Sequence, residues 1–215
     1  MKKKNMKPGD KTTYFDKEYV VEENKITVDK NKSKILLTIN LLSVFMTAAF
    51  FIIYIIIVNL IGTTQNMVSF SFLKLLFYMV FFFAAFAIFI AAHEYVHYMA
   101  YRVFGKVKKQ NLKFGLILKS GMAYCISLQP NTVKVSRISL MMPLYALVIP
   151  LFILSIVLRN NFLAFLSAMF ACGSAGDLWY IWTLRKYPKD KYIIESVPSS
   201  SGYEIGYLVM DLVNQ

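Results

Sequence analysis

The chain carries only two histidines, four residues apart, with a glutamate beside the first: His93-Glu94-Tyr95-Val96-His97. On a helix, residues i and i+4 share one face a turn apart, so both imidazoles can reach one Zn²⁺ ion. Glu94 then projects about 100° round from His93, close enough to meet a water on the metal without ligating it. Hydrolytic zinc sites divide the labour in this way. The ion brings the pKa of its water towards about 7, and the glutamate takes the proton and later delivers it to a leaving amine. On a soluble helix the same five residues can equally be a surface pair with no metal. Here they close a long apolar run, where each ionisable group costs about 2.5–3.5 kcal/mol to insert and marks function more often than structure.

A catalytic zinc takes three protein ligands and keeps its fourth position for water. There is no third histidine. Cys125 and Cys172 have no CxxC spacing and read as small buried apolar residues. Asp177, in Gly173-Ser174-Ala175-Gly176-Asp177, is the one carboxylate besides Glu94 within an apolar run; Asp190, Glu195, Glu204 and Asp211 lie in the polar tail. Arg185 follows Asp177 by eight residues, which sets Asp177 about 12 Å from the end of its helix. His97 stands a similar distance before the basic stretch that begins near Lys106. Two helices packed at equal depth therefore bring His93, His97 and Asp177 together, and small residues before Asp177 allow close approach. The competing reading pairs Asp177 with an arginine such as Arg102. For an oxyanion stabiliser, Asn131 and Tyr124 are candidates only by nearness in sequence, and no substrate-binding residue can be read.

The elements that must hold these residues are apolar. Of 215 residues, 57% are hydrophobic, and they gather in long charge-free runs. That distribution excludes disorder, a disulfide-stapled secreted module and most soluble folds. Four spans are expected, over 35–61, 75–104, 138–158 and 162–184, since about 20 apolar residues cross a bilayer. Residues 1–34 form a basic segment with ten lysines against six acids, and they hold no apolar run long enough for the core of a signal peptide. The segment 105–137 has seven basic residues and no acid. Within it, Leu112–Leu118 and Met122–Leu128, split by Lys119-Ser120-Gly121, read as a β-hairpin. The tail, 185–215, offers a second hairpin from Lys191–Val197 and Tyr203–Met210. The expected fold is thus an α-helical membrane protein, with about four transmembrane helices and a small cytoplasmic β-hairpin between the second and third.

The net charge of +12 gives direction. The segments 1–34, 105–137 and 185–215 hold ten, seven and four Lys and Arg, while 62–72 and 159–161 hold none and one. By the positive-inside rule both termini are cytoplasmic. The same cations suit anionic lipid headgroups, and no nucleic-acid partner is expected.

The HExxH at the end of one span, with a Gly-Asp in a later one, resembles the site-2 protease clan of intramembrane zinc peptidases. In that clan an aspartate is the third zinc ligand, and a strand near the site is thought to hold substrate. The order Ser-Ala-Gly-Asp-Leu at 174–178 is more similar to the putative zincin peptidase family of small bacterial multi-pass membrane proteins. The resemblance runs from about residue 75 to 210. It departs from the clan at Asp177, which Leu178 follows in place of glycine, and no insertion of PDZ size is present. It implies one zinc per chain on His93, His97 and Asp177, with Glu94 as general base. The implied activity is hydrolysis of membrane-embedded or membrane-proximal peptide bonds near the cytoplasmic face of the cell membrane. The alternatives are a non-catalytic zinc-binding adaptor and a small metal-ion or proton transporter. The transporter fits less well, because span one holds no acid, base or histidine. A structural zinc would normally take four protein ligands.

Overall fold

The computed structural model of the protein describes residues 6–14, 16–24, 32–61, 72–117, 122–196 and 206–213. The chain opens with strands β1 (Lys11–Tyr14) and β2 (Lys17–Asn24), followed by helices α1 (Lys32–Leu60) and α2 (Phe72–Phe104). Strands β3 (Leu112–Ile117), β4 (Met122–Ser127) and β5 (Asn131–Thr132) come next. Helices α3 (Val133–Pro143), α4 (Ile149–Val157), α5 (Asn161–Gly173) and α6 (Ala175–Leu184) lead to strands β6 (Tyr192–Glu195) and β7 (Tyr207–Leu212). Four helical stretches are long and apolar enough to cross a membrane: Leu37–Leu60, Met79–Phe104, Val133–Val157 and Asn161–Leu184.

These stretches agree closely with the charge-free runs, with two local differences. The third starts at Val133, five residues before the expected 138, and so draws Lys134 and Arg137 into a helix. Arg137 is tolerated there because its Nη2 donates to the carbonyls of Leu184, at 2.6 Å, and Tyr187, at 3.1 Å. These carbonyls stand at and just beyond the C-terminal end of α6, where a cation is favoured by the helix dipole. The fourth stretch is not one continuous helix. It breaks at Ser174, between α5 and α6.

Compact packing divides the chain into two units: Met1–Thr38, Glu94–Met142 and Asp177–Gln215 in one, Ile39–His93 and Pro143–Gly176 in the other. The second unit is helical and apolar. Tyr54, Val58 and Ala164 are buried together, with Phe152 and Ile156 against them. The Tyr54 hydroxyl donates to Asn161 Oδ1 at 2.7 Å, which satisfies a phenol that would otherwise be costly to bury. Ser43 and Thr47 spend their hydroxyls on carbonyls one turn back at 2.9 Å, as serine and threonine commonly do in apolar helices. Large apolar side chains such as Leu41, Val44, Phe45, Phe77 and Val80 are exposed on the surface of these helices, as a lipid-facing wall requires.

The first unit holds more sheet than the expected hairpins. It holds a five-stranded sheet of order β1-β2-β7-β6-β5 and a separate two-stranded sheet, β3-β4. The basic N-terminal segment, for which no strand was expected, supplies β1 and β2, and Asp16 turns between them at φ 64°. Strand β7 lies at the centre and is buried on both faces. Leu208 and Met210 pack with Met6, Tyr19, Val21 and Ile194, and Tyr207 and Val209 pack with Val133, Leu184 and Ile193. The run Tyr207-Leu208-Val209-Met210 is therefore continuous rather than alternating, as strands covered on both sides are. The tail hairpin exists with a shifted register: β6 pairs antiparallel with β7, Tyr192 opposite Met210 and Glu195 opposite Tyr207. The β3–β4 hairpin is present where expected, Leu112 opposite Ser127 and Ile117 opposite Met122. Gly115 is required in it, because a Cβ there would lie 2.2 Å from the Tyr124 ring that crosses it.

Candidate metal centre

Helix α2 presents His93 and His97 on one buried face, 7% and 5% exposed, while Tyr95 between them is 56% exposed. The i, i+4 spacing does this alone, since residues two apart point to opposite sides. Tyr101, a further turn along, continues the stripe at 2% exposure. Below the motif, the Phe89 ring packs tilted against His93, with ring centroids 5.7 Å apart, and stacks on Phe170 at 3.7 Å. These rings give the first imidazole an apolar floor.

Asp177 reaches the site from α6. The break at Ser174 matters for this residue, because it restarts the helix at Ala175 and leaves Asp177 in the first turn. A helix N-terminus carries about half a positive charge, which favours an ionised carboxylate there. Of the small residues before Asp177, the glycines are not the ones in close contact. A Cβ on Gly176 would meet nothing within 4 Å, and one on Gly173 only Phe89 Cε1 at 3.6 Å. Ser174 and Ala175, 1% and 0% exposed, are the small residues that pack.

His93, His97 and Asp177 each offer one ligand atom, and the three atoms lie within 4.8 Å of one another. His97 Nε2 is 3.5 Å from Asp177 Oδ2. Its Nδ1 is 2.9 Å from the Ser139 carbonyl oxygen, which can only accept. In the neutral ring this places the proton on Nδ1 and the lone pair on Nε2, facing the carboxylate. Two ligand atoms about 2.0–2.1 Å from a tetrahedral zinc stand roughly 3.3–3.5 Å apart. The His97–Asp177 separation and the two-imidazole, one-carboxylate donor set both fit such an ion. The backbone carbonyl on the far ring nitrogen is the usual outer support of a ligating histidine.

The other candidates fall elsewhere. Glu195 Oε1 accepts a hydrogen bond from the buried Tyr101 hydroxyl at 2.6 Å. Glu204 lies outside the described residues. Arg102 Nη1 donates to the Val107 carbonyl. Cys125 is buried on β4, and burial, followed by the nearby Glu94 and Glu195 charges, pushes its thiol up to about 12. It stays protonated, as a small apolar residue. Tyr124, its neighbour on the strand, projects to the opposite face of the hairpin and covers Gly115. Asn131 Nδ2 donates to the Gln129 carbonyl, and its backbone pairs with Ile193. Neither stands out as an oxyanion donor. Sequence reasoning missed Ser139, whose contribution is a backbone carbonyl and so carries no side-chain signal. It also missed Tyr101, the partner of Glu195, although the stripe His93-His97-Tyr101 could have pointed to it.

Comparison with known proteins bears on the same region. Residues 86–192 match the model of a family described as "Putative zincin peptidase". The matched stretch takes in His93 to His97, the hairpin and Asp177, and supports a zincin-like metallopeptidase. No curated protein and no solved structure matches the chain.

Proposed function

We propose that this protein is an intramembrane zinc peptidase, similar in type to the site-2 proteases, that hydrolyses peptide bonds near the cytoplasmic face of the cell membrane. One observation carries the reading. Two imidazoles and a carboxylate, 80 residues apart in the chain, have ligand atoms within 4.8 Å of one another beside Glu94 on a helix long enough to span.

His93, His97 and Asp177 would hold one zinc per chain. When bound, zinc acts as a Lewis acid and lowers the pKa of its water towards about 7. Glu94 accepts a proton from the attacking water as its oxygen bonds to the carbonyl carbon. It returns that proton to the amine nitrogen as the C–N bond breaks. The Ser139 carbonyl holds His97 in the tautomer that leaves Nε2 free to donate its lone pair. Phe89 and Phe170 keep the inner side of the site apolar.

A substrate helix buries its carbonyls in its own hydrogen bonds and must unwind before it can be cut. The β3–β4 pair is a two-stranded sheet that leaves an edge for an added strand. The hairpin is tied to the motif helix, with the Phe114 ring 5.5 Å from Tyr98. Its lysines, with those of the N-terminal segment, serve anionic lipid headgroups on the cytoplasmic side. Both termini lie on that side.

The decisive experiment compares zinc-loaded wild type with Glu94→Gln on single-span peptides carrying helix-weakening residues near the cytoplasmic boundary. Glutamine keeps the shape but cannot take the proton, so cleavage should fall about 10²–10⁴-fold with zinc retained. Equal cleavage by the two proteins refutes the mechanism.

A further inference from the structure

The third spanning stretch contains two prolines, Pro143 and Pro150, and its helix widens into a single π turn over Leu144–Val148 directly after the first. A proline has no N–H to give the carbonyl four residues back. For Pro143 that carbonyl belongs to Ser139, the group on His97 Nδ1 at 2.9 Å. We infer that Pro143 is a positioning residue for the metal centre: by withholding the helical donor from the Ser139 carbonyl, it reserves that oxygen for His97. This rests on the zinc reading of the site.

Ser139 is fully buried, at 0% exposure. A buried carbonyl takes a partner wherever it finds one, and in a regular helix the partner is the N–H at i+4. Alanine at 143 would supply it. The oxygen would then be shared between a helical donor and an imidazole, and the widened turn that follows would be free to close to α geometry. His97 would lose the fixed proton on Nδ1. The ring could then place its hydrogen on Nε2 and offer Asp177 a donor, where a metal needs a lone pair. The Ser139 side chain is the lesser contact: its Oγ lies 3.4 Å from the His97 carbonyl. Pro150 shares the span and the chemistry, yet a carbonyl it leaves without a helical donor falls within the widened turn, which holds no site residue.

The positioning role and a merely structural one predict opposite signs. Proline in a helix interior is unfavourable, so Pro143→Ala should leave the melting temperature of the zinc-free protein equal or raised. Zinc affinity should nevertheless fall about 10–100-fold, the range seen when outer supports of a ligating histidine are lost. The experiment uses the full-length protein in detergent micelles. Zinc affinity is read by competition with a chromophoric chelator, and ligand geometry by the visible spectrum of the cobalt-substituted protein. Pro143→Ala should weaken zinc and shift the cobalt bands. Pro150→Ala and Ser139→Ala, which leave the carbonyl's partner unchanged, should stay within about threefold of wild type.

Wild-type affinity in Pro143→Ala overturns the inference. So does a loss of zinc that comes with a lowered zinc-free melting temperature and is matched by Pro150→Ala, since that is a helix effect. A wild type that binds no zinc overturns the metal centre, and this role with it. Variants that match a zinc-binding wild type overturn only the role of Pro143.

Discussion

Replacing Asp177 by asparagine keeps the side-chain volume and the place in the first turn of α6 while removing the charge and the strong oxygen donor. His97 should hold its position, because its Nδ1 is anchored on Ser139, on another helix, at 2.9 Å. His93 stays on the same face of α2, packed against Phe89. The substitution therefore isolates one ligand of three. Four-ligand zinc sites bind with about 10–16 kcal/mol, or roughly 2.5–4 kcal/mol for each ligand. At about 1.4 kcal/mol per decade, losing Asp177 should weaken zinc about 10²–10³-fold. Chelator competition on the full-length protein reads this directly.

Thermal unfolding gives a second reading by linkage. At zinc one hundred times the wild-type Kd, binding adds about 2.7 kcal/mol of stability. For a variant weakened a hundredfold the same zinc adds only about 0.4 kcal/mol, so the zinc-dependent rise in melting temperature should nearly vanish. Asp211→Asn, which alters an exposed carboxylate paired with Lys191 in the sheet, is the matched control and should keep the full rise. Wild-type affinity and a full thermal shift in Asp177→Asn would refute the assignment. The carboxylate to test next would then be Glu195.

Three further outcomes are expected. In a protein with Cys125 and Cys172 replaced by alanine, single cysteines at 65 and 160 should label from outside and those at 110 and 200 only from inside; labelling of 110 from outside overturns the orientation. Tyr101→Phe removes a buried hydrogen bond to a charged acceptor and should cost about 1.5–3 kcal/mol in chemical unfolding, and a change too small to measure would show that the 2.6 Å contact to Glu195 is not formed. The Cys125 thiol, at about 12 in the folded chain against 9.0 ordinarily, keeps its proton where the unfolded chain has lost it, so its contribution is intact below 9 and falls as pH rises towards 12; Cys125→Ala should flatten that part of the stability curve, and an unchanged slope would contradict the burial of the thiol.

The spans and the metal group were legible for the same reason. In an apolar run each charge is expensive, so the few that remain stand out, and His93, Glu94, His97 and Asp177 needed no structure to be noticed. Strands β1 and β2 were hidden because they are short and largely polar. In Lys17–Asn24 only Tyr19 and Val21 are buried, among lysines and glutamates. Its pairing joins residues nearly the whole chain apart, Tyr19 with Leu212. No local window holds that information. The early start of α3 was hidden for a related reason. Lys134 and Arg137 read as loop until the end carbonyls of α6 are in place to receive the guanidinium. The break at Ser174 is a further case. Gly173 and Gly176 announce it, but they leave open whether small residues pack two helices or end one, and Ser174 and Ala175 turn out to do the packing.

Three ionisable groups buried beside apolar helices would be a liability without a cation to share. Each costs about 2.5–3.5 kcal/mol to place there. One zinc, at about 10 kcal/mol or more, offsets the set only if all three ligands arrive together. That condition explains the division of supports. The imidazoles come ready spaced on one helix and need only orientation, which a carbonyl on a neighbouring helix supplies. The aspartate is alone on its helix, and the chain breaks that helix to give it a favourable N-terminus. Neither device is visible as a motif, because both act through the backbone: a carbonyl deprived of its helical donor by a proline, and a helix restarted at Ala175. On the proposed zinc reading, the chemistry of the site rests on four side chains, and its precision on the two places where the helices depart from regularity.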